Sequence, residues 1–342
     1  MKVEMNPPKI SIILPIQNAY DPVDACMDSV HGQSLSAFEL LCVDMDAEDG
    51  IRDRVKAYAA WDARVKYLRA EVGGMGAAEN LAIRSACGDF VGFVEPGDML
   101  DPAMYARLVQ FAEAHPQVDV VKCNFEAIAE DGQELVPHLL LGKRVKNYGK
   151  MLNPRKHAYL FGVERATRAA IYRRSFLTRY NIRYREAQGN PFEDHGFWFQ
   201  TLALANGISF LPDALCRQQE DADEDIDDAD DIFAMCDEYD FIEQRMRTYR
   251  GVLDAVWRPY LAQRYKACSE ALRNVKEEQR PALAQRMHED FTKRIAQAAD
   301  VDKIFPPVLY RRLNRELKLL LADAEAYGED INKQVKRRRR KR

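Results

Sequence analysis

Three short polar segments, each closing an apolar run, carry the side chains best suited to chemistry: Pro15-Ile16-Gln17-Asn18, Asp44-Met45-Asp46 and Glu95-Pro96-Gly97-Asp98. Carboxylates are ionised at neutral pH. They accept hydrogen bonds, take a proton when positioned as a base, and hold hard divalent cations. A further acidic pair lies in Phe192-Glu193-Asp194-His195, after the loop Gly189-Asn190-Pro191. The glycine pair Gly73-Gly74 opens a stretch of small residues and lets backbone approach a ligand closely. His157 and His195 are not at metal-ligand spacing, and the seven cysteines include no CxxC pair. The thiols read as reduced and mostly buried, not as a zinc site or a disulfide frame.

These segments need a frame that gathers them. Ile10 to Ile16, Phe38 to Asp44, Val65 to Leu68, Phe90 to Val94 and Val118 to Phe125 read as strands. Between them, Pro22 to Gln33, Ile51 to Trp61 and Gly74 to Ala86 have helical periodicity. Asp101, with Pro102 behind it, marks a helix start whose inner face carries Met104, Leu108, Phe111 and His115. Repeated strand–helix units predict an α/β domain with a mostly parallel, Rossmann-like sheet and helices on both faces. Ligands of such sheets bind outside the carboxyl ends of the strands. All three polar segments fall there.

Beyond residue 230 the pattern turns wholly helical. Phe233 to Arg247, Val252 to Leu272, Gln279 to Ala298 and Pro307 to Tyr327 are each expected as one helix. Tyr239, Phe241, Tyr249, Trp257 and Tyr260 read as their packing.

Composition narrows the class. A chain of 342 residues with 47% apolar and 30% charged residues is a folded globular protein, not a disordered or fibrous one. The net charge of −4 hides nine acids among residues 220–231 and seven consecutive cations at 336–342. A body left acidic by that segregation argues against a nucleic-acid partner. The acidic run reads as a solvated lid or linker. The N-terminal stretch contains neither a signal peptide nor a membrane span, which implies a cytoplasmic protein. The basic tail predicts peripheral contact with an anionic membrane at its inner face, against a plain solvated tail.

From Lys9 to Arg217 the order of segments resembles the family 2 glycosyltransferases, which have the GT-A fold. Ile10–Asp44 resembles that family's first strand, helix and second strand. Val72–Pro102 resembles its glycine pair, small-residue helix and acidic turn. Gly162–Ala205 resembles the segment with its Glu-Asp motif. Four positions depart from the family pattern. Met45 stands where an Asp usually holds the base. Glu79 stands for an Arg, and Glu95-Pro96-Gly97-Asp98 replaces the metal-binding Asp-Ser-Asp-Asp. Cys216-Arg217-Gln218-Gln219 lacks the usual His.

The resemblance implies an inverting, hexosyl-type transferase in cell-surface polysaccharide synthesis. It would move a sugar from a nucleotide donor, UDP-linked by resemblance, to a glycan or lipid-linked acceptor. Asp194 would be the base, with Glu193 beside it; the other reading of Asp194 is a helix cap. Pro15 and Gln17 would line base and ribose, with Asp44 or Asp46 accepting hydrogen bonds, and Gly73 and Gly74 would face the nucleotide. Asp98 and Glu95 would hold Mn2+ or Mg2+; the other reading of Asp98 is a cap for the helix near Asp101. Asn80 reads as structural, and Arg173 and Arg174 as solvated or as reaching diphosphate or acceptor. A scaffold that binds nucleotide sugar without turnover is the alternative. A nucleotidyltransferase is disfavoured, because Gln17-Asn18-Ala19-Tyr20 has no cation for a triphosphate. The expected division is a transferase domain at 1–230 (nucleotide part about 9–130, acceptor part about 131–230), a helical region at 231–330 that offers a homo-oligomer surface, and a disordered polybasic tail at 331–342.

Overall fold

Strand β1 (Ile10–Ile16) is buried along its whole length, and it is the axis of the first half of the sheet. It pairs in parallel with β2 (Phe38–Asp44) on one side and β4 (Phe90–Phe93) on the other; β3 (Val65–Arg69) adds in parallel to β2. Burial on both faces explains why β1, β2 and β4 are predominantly apolar instead of alternating. Helices α1 (Val23–His31), α2 (Asp49–Trp61) and α3 (Gly74–Ser85) connect these strands. The computed structural model describes residues 7–16, 23–45, 49–70, 74–128, 135–187, 192–219, 232–295 and 311–339.

Past β4 the sheet becomes mixed. Strand β8 (Ala170–Arg173) runs antiparallel to both β4 and β6 (Val120–Ile128). Strand β9 (Ile208–Gln219) is parallel to β6, while the short β5 (Met99–Leu100) and β7 (Leu135–His138) pair antiparallel with β9 and β6. The order across the sheet is β3-β2-β1-β4-β8-β6-β9-β5. The parallel arrangement expected from the strand–helix repeat therefore holds for the first four strands of that order, and the later segments join by reversal. Helix α4 (Met104–Ala114) starts two residues after Pro102, because Asp101 Oδ1 accepts the Ala103 N–H at 2.8 Å and makes a turn first. Helices α5 (Arg174–Arg179) and α6 (Glu193–Leu204) complete the unit, which spans Met1–Ala222.

The second unit, Asp223–Arg342, is helical throughout its described residues. It holds α7 (Ala234–Arg247), α8 (Val252–Asn274), α9 (Arg280–Ile295), α10 (Arg311–Ala322) and α11 (Ala324–Arg339). Tyr239 and Tyr260 are fully buried, as their periodicity predicts; Phe241, Tyr249 and Trp257 are half-buried. The single helix expected over Pro307 to Tyr327 is instead two, divided at Asp323, whose carboxylate accepts the Ala326 N–H at 3.0 Å and starts α11. The disordered tail expected from residue 331 needs the same correction: α11 continues to Arg339. Tyr327, Ile331 and Val335, four residues apart, are all buried and anchor that helix against its neighbours. No helix among the described residues is long and apolar enough to cross a membrane.

Candidate functional site

The parallel strands β1, β2 and β4 bring Ile16, Asp44 and Phe93 to one edge of the sheet, so two of the three polar segments contain an edge residue and the third, Glu95–Asp98, follows the edge. Pro15 is buried in β1 opposite Val43. Asp44, 1% exposed, ends β2; its Oδ2 accepts the Arg52 Nε–H at 2.7 Å and the Tyr67 hydroxyl. That carboxylate is therefore oriented from α2 and β3. Gly74 is the first residue of α3. Gln17, Asp46 and Gly73 lie outside the described residues, as do the acidic run 220–231 and the Gly189-Asn190-Pro191 loop.

The acidic turn follows directly from β4. Asp98 Oδ2 accepts the Glu95 N–H at 3.0 Å, and the Asp98 N–H donates back to Glu95 O at 3.0 Å. Gly97 takes φ +95°, a left-handed conformation that favours glycine. Asp98, 1% exposed, thus ties the turn together and does not cap α4. Both acids also face one guanidinium: Arg168 Nη1 donates to Glu95 Oε2, and its Nε lies 3.6 Å from Asp98 Oδ2. The strand register explains the meeting. β8 runs antiparallel to β4 with Ile171 opposite Gly92, so Arg168, just before β8, passes the end of β4 beside Glu95.

The same register corrects a second expectation. Arg173 lies opposite Phe90 at the start of β4, the far edge from the acidic turn. Its guanidinium donates to the carbonyls of Val118 and Ala112, and Arg174 donates to Gly88 O. Both serve the backbone, and neither stands near a diphosphate at the carboxyl edge.

Helix α6 begins at Glu193 after the N-cap Phe192, so Asp194 is inside the first turn and does not cap the helix. Carboxylates are favoured there by the helix dipole. Glu193 is buried and Asp194 half-buried. Beneath them, Phe197 stacks on Tyr184 at 4.5 Å and meets Phe93 and Tyr172 edge-on at 5.3 and 5.1 Å. This aromatic floor joins α6 to β4 and β8. Asn80 of α3 holds the chain leading to α6: its Nδ2 donates to Tyr184 O at 3.1 Å, and its Oδ1 accepts the Tyr184 N–H at 3.0 Å. Gly76 permits the contact, since a Cβ there would stand 2.7 Å from Arg185 O. Asn80 is structural, as its sequence context suggested.

Asp194's charge reaches several buried groups. Burial first, then Asp194, Glu193 and Glu95, push the Glu79 carboxyl well above its usual range. Burial lowers the Lys122 ammonium to about 8, against the pull of Asp194. Tyr172 and Tyr184 are raised by burial and again by Asp194. Glu79 and Lys122, both buried, feel the charge of Asp194, and Arg168 meets the acidic turn; the sequence reading assigned a role to none of the three. Lys122 had a signal, a cation inside the apolar run Val120-Val121-Lys122-Cys123; Glu79 had one, an acid in a small-residue helix; Arg168 had none.

A divalent cation does not fit the turn as it stands. Its two acids are spanned by a guanidinium, one of them closes the turn, and Gly97, between Glu95 and Asp98, stands where the Asp-Ser-Asp-Asp pattern has a third acid. Among the described residues no group of three or more His, Cys, Asp or Glu side chains is placed to hold a metal ion.

A mixed sheet whose parallel half presents polar turns at its carboxyl edge, with an acidic helix start beside it, is the arrangement of a GT-A fold. Residues 11–180 match the model of the Glycosyl transferase family 2, and the chain carries a family 2 glycosyltransferase domain. It is 32% identical over 194 residues to the uncharacterized glycosyltransferase EpsJ of Bacillus subtilis, covering 56% of each chain. The chain therefore spans a little over half the length of that relative. It is 22% identical over 222 residues to the amylovoran biosynthesis glycosyltransferase AmsE of Erwinia amylovora, covering 62% of this chain and 77% of AmsE. The fold is similar to residues 1–349 of S. aureus TarS solved with UDP, with a TM-score of 0.68 at 19% identity over 97% of this chain and 91% of that one.

Proposed function

We propose that the chain transfers a sugar, with inversion, from a UDP-linked donor to a glycan or lipid-linked acceptor in the synthesis of a surface polysaccharide. Asp194 is the base in this reading. The observation that carries it is the position of Asp194 in the first turn of α6, half-buried, with its charge felt at Glu79, Lys122, Tyr172 and Tyr184. In its ionised form a carboxylate there can accept a proton from an acceptor hydroxyl. Glu193, its neighbour, is more deeply buried and shapes the field around it. Pro15, Asp44 and Gly74, with Gln17, Asp46 and Gly73, form the nucleotide side of the site. TarS, solved with UDP, supports the choice of nucleotide, and AmsE supports the polysaccharide setting. The protein works in the cytoplasm, with its basic C-terminus drawn to the membrane's inner face.

The test is Asp194→Asn, which keeps the shape and removes the basicity. UDP affinity should stay near wild type while transfer slows by roughly 100-fold or more. A variant that keeps more than about a tenth of the wild-type rate gives the base role to Glu193 or another group.

A further inference from the structure

We infer that Arg168 is the cation of the donor site: its guanidinium, fixed beside Glu95 and Asp98, binds the donor diphosphate and takes up the leaving group's charge in place of a divalent metal. The inference rests on the nucleotide-donor reading above and concerns how that nucleotide is held.

The position comes from the strand register, which carries Arg168 past the end of β4 to the ligand edge. Two carboxylates aim its planar fork through Nη1 and Nε. The planar guanidinium fork matches carboxylate and phosphate oxygens alike. It is also charged at every working pH. The acids and Arg168 together leave a formal charge of −1 in the turn, whereas an Asp-Ser-Asp-Asp turn with a divalent ion carries the same −1. One acid fewer is matched by a cation of one charge fewer.

The segment that presents Arg168 is built with unusual firmness. Lys122, 2% exposed and opposite Ala170 on β6, donates from Nζ to Arg165 O and, at 3.1 Å, to Ala166 O. Ala166 takes φ +41°, a left-handed conformation strained for any residue with a Cβ. Tyr172 Oη donates to Thr167 O at 3.1 Å, and the Cys123 N–H donates to Ala169 O at 2.9 Å. The four carbonyls around Arg168 are thus all engaged. Backbone strain persists only where surroundings over-determine it, and it gathers at functional sites. A buried lysine spent on two loop carbonyls is a costly way to place a surface arginine, and a reasonable way to place a site cation.

In the step itself, the bond from the sugar C1 to the β-phosphate oxygen breaks, and its electron pair stays on that oxygen beside Arg168. The acceptor oxygen forms the new bond to C1, and its proton passes to Asp194. No redox partner or further reactant is needed.

The experiment is calorimetric binding of UDP, and of GDP, dTDP and CDP as alternatives, in chelator and in excess manganese. The expected result is tight binding of one nucleotide, unchanged within about threefold by the chelator, with Arg168→Gln weakening it tenfold or more and Arg168→Lys falling between. Circular dichroism checks that each variant is folded. If Arg168→Gln does not fold, wild type in chelator and the Lys variant decide. Binding that is lost in chelator overturns the inference and leaves the donor reading standing. Wild-type affinity in a folded Arg168→Gln protein overturns it equally. Failure of every nucleotide to bind in either buffer refutes the donor reading and this inference with it.

Discussion

Replacing Asn80 by alanine removes the side chain that fastens the chain leading to α6 onto α3. Asn80 is 2% exposed and clasps the backbone of Tyr184 from both sides, with bonds of 3.1 Å to its carbonyl and 3.0 Å from its N–H. A third bond, 2.9 Å to Glu186 Oε1, ends on a half-exposed carboxylate and adds little. Each buried backbone group left without its partner costs about 1–3 kcal/mol. Alanine returns about 0.5 kcal/mol as the better helix former. The net loss expected from the two groups is therefore about 1.5–5.5 kcal/mol. Because two units share the chain, the loss must be read in the first one. Urea unfolding followed through Trp198, which is buried in α6, isolates it once Trp61 and Trp257 are replaced by phenylalanine. UDP affinity should hold while the fold is intact. A loss below about 1 kcal/mol would refute the reasoning, and a stable variant that no longer binds UDP would make Asn80 a ligand residue instead.

Gly76→Val should loosen the same docking by about 1–3 kcal/mol, since even a Cβ at that position meets Arg185 O at 2.7 Å; urea midpoints equal to wild type contradict the packing. The carboxyl of Glu79 is raised by burial and by its acidic neighbours, so the folded chain holds that proton more tightly than the unfolded one. Its contribution to stability is intact below the ordinary value of 4.5 and is lost as pH rises towards the raised one. Glu79→Gln, neutral throughout, should accordingly gain in melting temperature on wild type as pH rises above the ordinary value of 4.5; a difference that does not change with pH sinks the idea. Liposome sedimentation should show the chain binding anionic vesicles and losing much of that binding without residues 336–342, at roughly 1 kcal/mol per cation. Equal binding by both chains ends the membrane assignment.

The parts of the fold that depend on short-range pattern were open to reading. Ile10–Ile16 and Phe38–Asp44 are predominantly apolar because both their faces are covered, with the buried Ser11 hydroxyl donating to Glu39, and their bounds match to the residue. The reversal of β8 was not open, because Ala170–Arg173 is four residues long and nothing in Ala-Ile-Tyr-Arg states its direction. That reversal decides the site: it brings Arg168 to the ligand edge and takes Arg173 and Arg174 away from it. Single-residue roles divided in the same way. Asp194 could be placed near a helix start, yet whether it capped that helix or stood inside it depended on where α6 begins. Asp98 looked like a ligand or a cap for α4, and the structure makes it the clasp of its own turn, a role set by φ at Gly97. The tail failed as a reading because charge repulsion along 336–342 was weighed without the buried stripe of Tyr327, Ile331 and Val335 just before it.

The claim that this chain is a working transferase, and not a scaffold on the same fold, is tested most directly by incubating the purified protein with a panel of nucleotide sugars and measuring release of the nucleoside diphosphate. The account predicts slow hydrolysis of a UDP-sugar to UDP and free sugar, selective among the panel and lost in Asp194→Asn. A protein that binds UDP and hydrolyses none of the panel, with or without manganese or magnesium, contradicts it.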